Sequence, residues 1–117
     1  MNQFGSSTTT WRRGSDLYDK SSLVQLSSGR DVCLLHLPAR DVSKPTFLFV
    51  HGSMAAMSQY FPVMAALHEE GGYGCAAYDA LGCGRSPHPT DWGAYSFSAL
   101  QQDLEVVWDM TQNKTQG

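Results

Sequence analysis

Residues 46–51, Thr-Phe-Leu-Phe-Val-His, set four bulky apolar side chains in a row and then run into Gly52. A strand with one wet face alternates apolar and polar residues, whereas an unbroken short apolar run needs cover on both faces. Such cover is what a parallel strand receives in a layered α/β sheet. A parallel partner is reached only through a long crossover, and the sequence supplies one. From Ser58 to Glu70, Tyr60, Phe61, Met64 and Leu67 recur at helical spacing, with Pro62 confined to the first turn, where its missing N–H is not needed. Gly71 and Gly72 stop this helix. YGCAAYD, at 73–79, is then a second buried strand.

The flanking segments extend the pattern. SLVQL (22–26) and DVCLLHL (31–37), joined by SSGR, predict a β-hairpin. PARDVSKP (38–45) is a loop closed by Pro45. After the second buried strand, residues 80–95 form a long loop punctuated by Gly and Pro. Ser96 is an N-cap, and Phe97, Leu100, Leu104, Val107 and Trp108 mark one apolar stripe of a final helix ending near Met110. The predicted fold class is therefore α/β: a hairpin, then strand, helix, strand, helix, built around a mostly parallel core. Residues 1–20, rich in Ser, Thr and Gly, are expected to be loosely ordered. Residues 21–110 make one partial domain, and 111–117 a polar tail.

Composition removes several classes of function. With 117 residues, 42% hydrophobic and 16% charged, the chain has the make-up of one small soluble domain. A net charge of −3 leaves no basic surface for nucleic acid or an anionic membrane. No apolar run approaches the ~18 residues that span a bilayer, and the N-terminus lacks the apolar core of a signal peptide. Cys33, Cys75 and Cys83 are odd in number and scattered, which argues against a disulfide framework or a zinc site. Reduced thiols in a cytoplasmic protein fit better. His36, His68 and His88 lack metal-ligand spacing, so no metal and no cofactor is expected.

Three features carry chemistry. The first is the turn His51-Gly52-Ser53-Met54, which leaves a parallel strand at its carboxyl end, where α/β sheets bind ligands. Gly52 lets the chain turn sharply, so that the following amides face outward as donors. The second is YDALGCGRS (78–86), in which Gly82 and Gly84 fold the loop and bring Arg85 and Ser86 back toward the strand ends. The third is the interval from His51 to Asp79, which is room for one crossover helix and one strand. On this pattern Asp79 holds the glycine loop through backbone N–H groups. His51 is a packing and hydrogen-bonding residue of its turn rather than an acid or base. Arg85 pairs locally or reaches solvent. Cys33 and Cys75 are small buried hydrophobes, and Cys83 lies between two glycines with nothing nearby to activate its thiol.

With these residues in order, the chain resembles the N-terminal part of the α/β-hydrolase fold, in the branch of epoxide hydrolases, esterases, lipases and peptidases. The resemblance rests on His-Gly after the third strand, then a helix, then Tyr-Asp-x-x-Gly-x-Gly-x-Ser and an amphipathic helix, over roughly residues 22–110. It implies that His51, Gly52, Ser53 and Met54 form the oxyanion-hole loop, with one donor N–H from Ser53 and Met54 next. Ser53 then acts through its backbone. It also implies a nucleophile in a Gly-x-Ser-x-Gly elbow beyond the last helix, followed by an acid and a histidine. No such elbow occurs in these residues. The chain is accordingly expected to be a truncated product, a fragment or a partial gene model, without turnover of its own. Complete relatives would act on ester, amide or epoxide bonds of a small-molecule substrate.

Two rival expectations accompany this one. Ser53, Asp79 and His88 formally offer the order Ser, Asp, His of a minimal triad. Alternatively, the chain is a non-catalytic interaction module. In the sheet order implied by the resemblance, 73–79 lies between 46–51 and 31–37, which leaves the other edge of 46–51 bare. Self-association through that edge is expected.

Overall fold

The computed structural model describes residues 14–112. Four strands form one sheet: β1 (Ser22–Gln25), β2 (Asp31–Leu37), β3 (Thr46–Phe49) and β4 (Gly74–Asp79), in the order β1-β2-β4-β3. Helix α1 (Phe61–Glu69) crosses from β3 to β4, and α2 (Phe97–Thr111) follows β4. The β3–β4 pair is parallel, from Thr46 opposite Gly74 to Phe49 opposite Ala77. The hairpin joins it antiparallel through β2, from Cys33 opposite Asp79 to Leu37 opposite Cys75. Thus β4 lies between β2 and β3, as expected, and all six of its residues are buried.

The pleat of β2 sorts its side chains to two layers. Cys33, Leu35 and Leu37 meet Met57, Phe61 and Met64 on one face, with Cys75 and Ala77 of β4. Val32 and Leu34 meet Val107 of α2 on the other, with Leu26 and Tyr78. The small side chains Cys75, Ala76 and Ala77 let both layers close on β4.

Helix α1 begins later than its apolar spacing suggested, because Met57–Tyr60 is a 3-10 turn that delivers Pro62 to the first α-helical turn. It ends in an αL cap: Gly72, at φ +77, donates its N–H to His68 O, and Tyr73 N–H donates to Leu67 O. Cations from the preceding loop complete the cap, with Arg40 Nη1 donating to Glu69 O and Lys44 Nζ to Gly71 O, each at 2.5 Å.

Two findings depart from the sequence pattern. Residues 1–13 lie outside the described residues, but 14–20 form a 3-10 helix rather than a loose segment. Leu17 is buried in the α1-side core, and the Tyr18 ring meets Phe61 edge-on at 4.9 Å. The second departure is in α2. Ser96 caps it by accepting Ala99 N–H at 3.1 Å, and Val107 is fully buried, but Phe97 is 81% exposed and Trp108 49%. Asp103 is buried instead. It accepts a two-pronged ion pair from Arg30 at 2.9 and 2.8 Å, which ties the hairpin turn to α2. The 111–117 tail is described only to Gln112; Thr111 is the last residue of α2.

Candidate active site

The loops that follow β3 and β4 emerge at one end of the sheet, the carboxyl end of both strands. Ala55 N–H donates to Gly52 O at 3.2 Å, closing a tight turn over Gly52-Ser53-Met54-Ala55. Met54 takes φ +59 there, a left-handed conformation that a side-chain-bearing residue adopts only when its surroundings impose it. What imposes it is a pin at each end of the loop. At the entrance, Ala80 N–H donates to His51 Nε2 at 2.9 Å, and His51 Nδ1 lies 2.7 Å from Gly52 O. The ring is therefore the Nδ1–H tautomer, with Nε2 as acceptor and Nδ1–H as donor. At the exit, Met57 N–H donates to Asp79 Oδ1 at 2.7 Å. Both pins land on consecutive residues at the end of β4.

Asp79 is fully buried. Besides Met57, it accepts Arg85 N–H and the Tyr18 hydroxyl on Oδ2, each at 2.9 Å. Gly84 lies so close that a Cβ there would overlap the carboxylate, so glycine is required for the loop to fold over it. Ser86 adds a third tie: its hydroxyl donates to Asp79 O at 2.5 Å and accepts Cys33 N–H at 2.8 Å. The Arg85 guanidinium stacks 4.0 Å above the Tyr18 ring. Burial, and then the bond to Asp79, push the Tyr18 phenol up to about 12. Burial raises the Cys33 thiol, and takes that of Cys75 to about 11, so neither is an activated nucleophile.

The pins leave part of the turn unused. The Ser53 and Met54 amides donate to no acceptor among the described residues. Both residues are exposed and line an open groove of about 450 Å³, whose opposite wall is the first two turns of α2, including Phe97, Leu100 and Leu104. No hydrogen bond links Ser53, Asp79 and His88. Ser53 faces the groove, Asp79 is enclosed by its own donors, and His88 lies exposed with Nε2 3.4 Å from Gly84 O. Among the described residues, no three His, Cys, Asp or Glu side chains gather in a way that could hold a metal ion. No described helix is long and apolar enough to cross a membrane.

The sequence pattern pointed to His51, Asp79 and the glycine loop but not to Tyr18, Met57 or Ala80. Met57 and Ala80 act through backbone amides, which no side-chain pattern marks. Tyr18 sits 61 residues from Asp79 in a polar stretch without periodicity.

Residues 45–116 match the family described as alpha/beta hydrolase fold. No curated protein matches the chain. Among solved structures, the thioesterase domain from the curacin biosynthetic pathway is similar, with a TM-score of 0.65 and 21% identity over 80% of this chain and 32% of its own. The haloalkane dehalogenase DpaA from Paraglaciecola agarilytica gives 0.66 and 22%, over 77% of this chain and 30% of its own. An epoxide hydrolase from an endophytic Streptomyces gives 0.57 and 29%, over 76% and 25%. The chain thus spans between a quarter and a third of the length of these structures.

Proposed function

The chain belongs to the α/β-hydrolase family, and on that premise we propose that its 51–54 turn is the oxyanion-hole loop of a hydrolase acting on ester-, amide- or epoxide-type bonds of a small molecule. Ser53 gives the first backbone donor and Met54 the next. The observation that carries this is the pair of unpartnered amides in a turn pinned at both ends. Donors fixed before the reaction need no reorganisation as negative charge builds on oxygen, and each such donor is worth roughly 3 kcal/mol of barrier. The polarity of the groove agrees, since amides line one end and apolar side chains of α2 the other.

In this proposal the 117 residues supply the donor side alone. No Gly-x-Ser-x-Gly lies within them, so the nucleophile, acid and histidine are contributed by other residues and the chain by itself does not turn over substrate. A fluorophosphonate probe, which labels activated serines, tests this. The expected result is no labelling of the 117-residue chain. Labelling that disappears in Ser53→Ala and in His88→Ala would overturn the proposal in favour of the Ser53–Asp79–His88 triad.

A second reading is favoured by the bare edge of β3. Phe47 is 41% exposed and Val50 46%, and no charged residue interrupts 46–50. Such an edge supports self-association.

A further inference from the structure

Three donors converge on the buried Asp79 carboxylate, and two belong to the loops of the candidate site. Met57, on Oδ1, ends the pinned stretch, and Arg85, on Oδ2, lies in the glycine loop. The third, the Tyr18 hydroxyl on Oδ2, comes from the 3-10 helix that precedes the whole sheet. The Tyr18 ring is fixed independently of that bond, edge-on to Phe61 and under the Arg85 guanidinium. With Gly84 packed against the carboxylate, the orientation of Asp79 is set by its donors.

We infer that Tyr18 is a positioning residue for the 51–54 turn, its hydroxyl acting through Asp79 to fix the Met57 amide and hence the exit of the turn. Its functional meaning rests on reading that turn as the oxyanion-hole loop. The chain of contacts is short: Tyr18 holds Oδ2, the carboxylate plane is thereby set, Oδ1 meets Met57 N–H, and residues 52–56 are stretched between Met57 and His51. Losing the hydroxyl leaves Oδ2 with Arg85 alone. The carboxylate then keeps one donor on each oxygen but loses its third restraint, and the Oδ1 bond to Met57 N–H loosens. The raised phenol keeps its proton, and so remains a donor, throughout the neutral range.

Tyr18→Phe tests this cleanly, because the ring and its stacking stay while only the O–H goes. The readout is amide hydrogen exchange by NMR on the 117-residue chain. Exchange of the Met57 amide is expected to rise about fivefold, the equivalent of one net hydrogen bond, while amides inside β4 are unchanged. Asp79→Asn combined with Tyr18→Phe should raise Met57 exchange by less than the product of the single effects, as two residues acting through one link do. An unchanged Met57 amide in Tyr18→Phe overturns the inference. So does a rise shared equally with β4, since that is plain loss of packing. Binding of a tetrahedral phosphonate at the Ser53 and Met54 amides reads the oxyanion assignment separately. If the anchoring result holds and that binding is absent, the assignment falls and the anchoring by Tyr18 stands.

Discussion

The two faces of the sheet are finished to different degrees. On the α1 face, nine buried residues form one cluster, and two elements distant in sequence, the 3-10 helix at 14–20 and α1, close over it. On the α2 face the buried cluster has five residues, and the helix covering it leaves Phe97, Trp108 and Met110 exposed. The difference lies in coverage, since both helices carry apolar stripes. β3 is the sheet's edge, and beside it Leu48, Val50, Leu104 and Trp108 line an open apolar groove of about 570 Å³. Exposed apolar patches of this kind mark interaction surfaces or ligand-binding grooves.

Stability measurements can break or sharpen this contrast. The largest effect is expected on the finished face. Phe61→Ala, at a fully buried site, should cost about 3–5 kcal/mol in urea unfolding, and a cost below that of an average surface change would remove the claim that α1 covers a complete core. Next comes Arg30→Ala, which strands the buried Asp103 carboxylate. A loss of about 2–4 kcal/mol is expected, with Arg30→Lys recovering only part, because one ammonium cannot replace two parallel N–H groups.

An alkaline titration follows in size. Burial, with the Asp103 charge adding to it, pushes the Tyr78 phenol up to about 12 from an ordinary 10.0. The fold favours the neutral phenol, so the stabilisation is complete below pH 10 and is lost as pH rises toward 12. It amounts to roughly 2–3 kcal/mol, and Tyr78→Phe should remove that part of the alkaline loss. An unaltered pH profile in Tyr78→Phe would place the buried phenol elsewhere. The smallest effects belong to the bare side. Trp108→Ala should change stability by no more than about 0.5 kcal/mol, and Phe47→Lys should abolish concentration-dependent association in sedimentation while lowering stability by only about 1 kcal/mol, for the lost ring contact with Tyr73. Association unaffected by Phe47→Lys would acquit the β3 edge.

Much of the fold was legible because its signals are local. The unbroken apolar run at 46–50, the helical spacing of Phe61, Met64 and Leu67, and the Ser96 cap each name one element, and crossover rules make 46–51 and 73–79 parallel neighbours, whereas the place of the hairpin beside 73–79 came from the family resemblance. What stayed hidden depends on distance. Leu17 and Tyr18 stand in a polar segment, and only the completed α1 face gives them partners. Asp103 reads as an ordinary helix-surface acid until the hairpin delivers Arg30. The stripe of α2 was readable as apolar, but whether each side chain is covered depends on what lies opposite, which its own spacing does not encode. At the site, Gly84 and Asp79 were visible as a pattern, whereas the pins at Ala80 and Met57 are backbone groups and leave no mark in side-chain chemistry.

The central claim is that the 51–54 turn presents the Ser53 and Met54 amides, and not the Ser53 hydroxyl, to a developing oxyanion. The most direct measurement is an amide-proton NMR titration of the 117-residue chain with methylphosphonate, a tetrahedral anion of the required shape. The account predicts saturable downfield movement of both amides, preserved in Ser53→Ala. Amides that do not move, or a response abolished by Ser53→Ala, would contradict it.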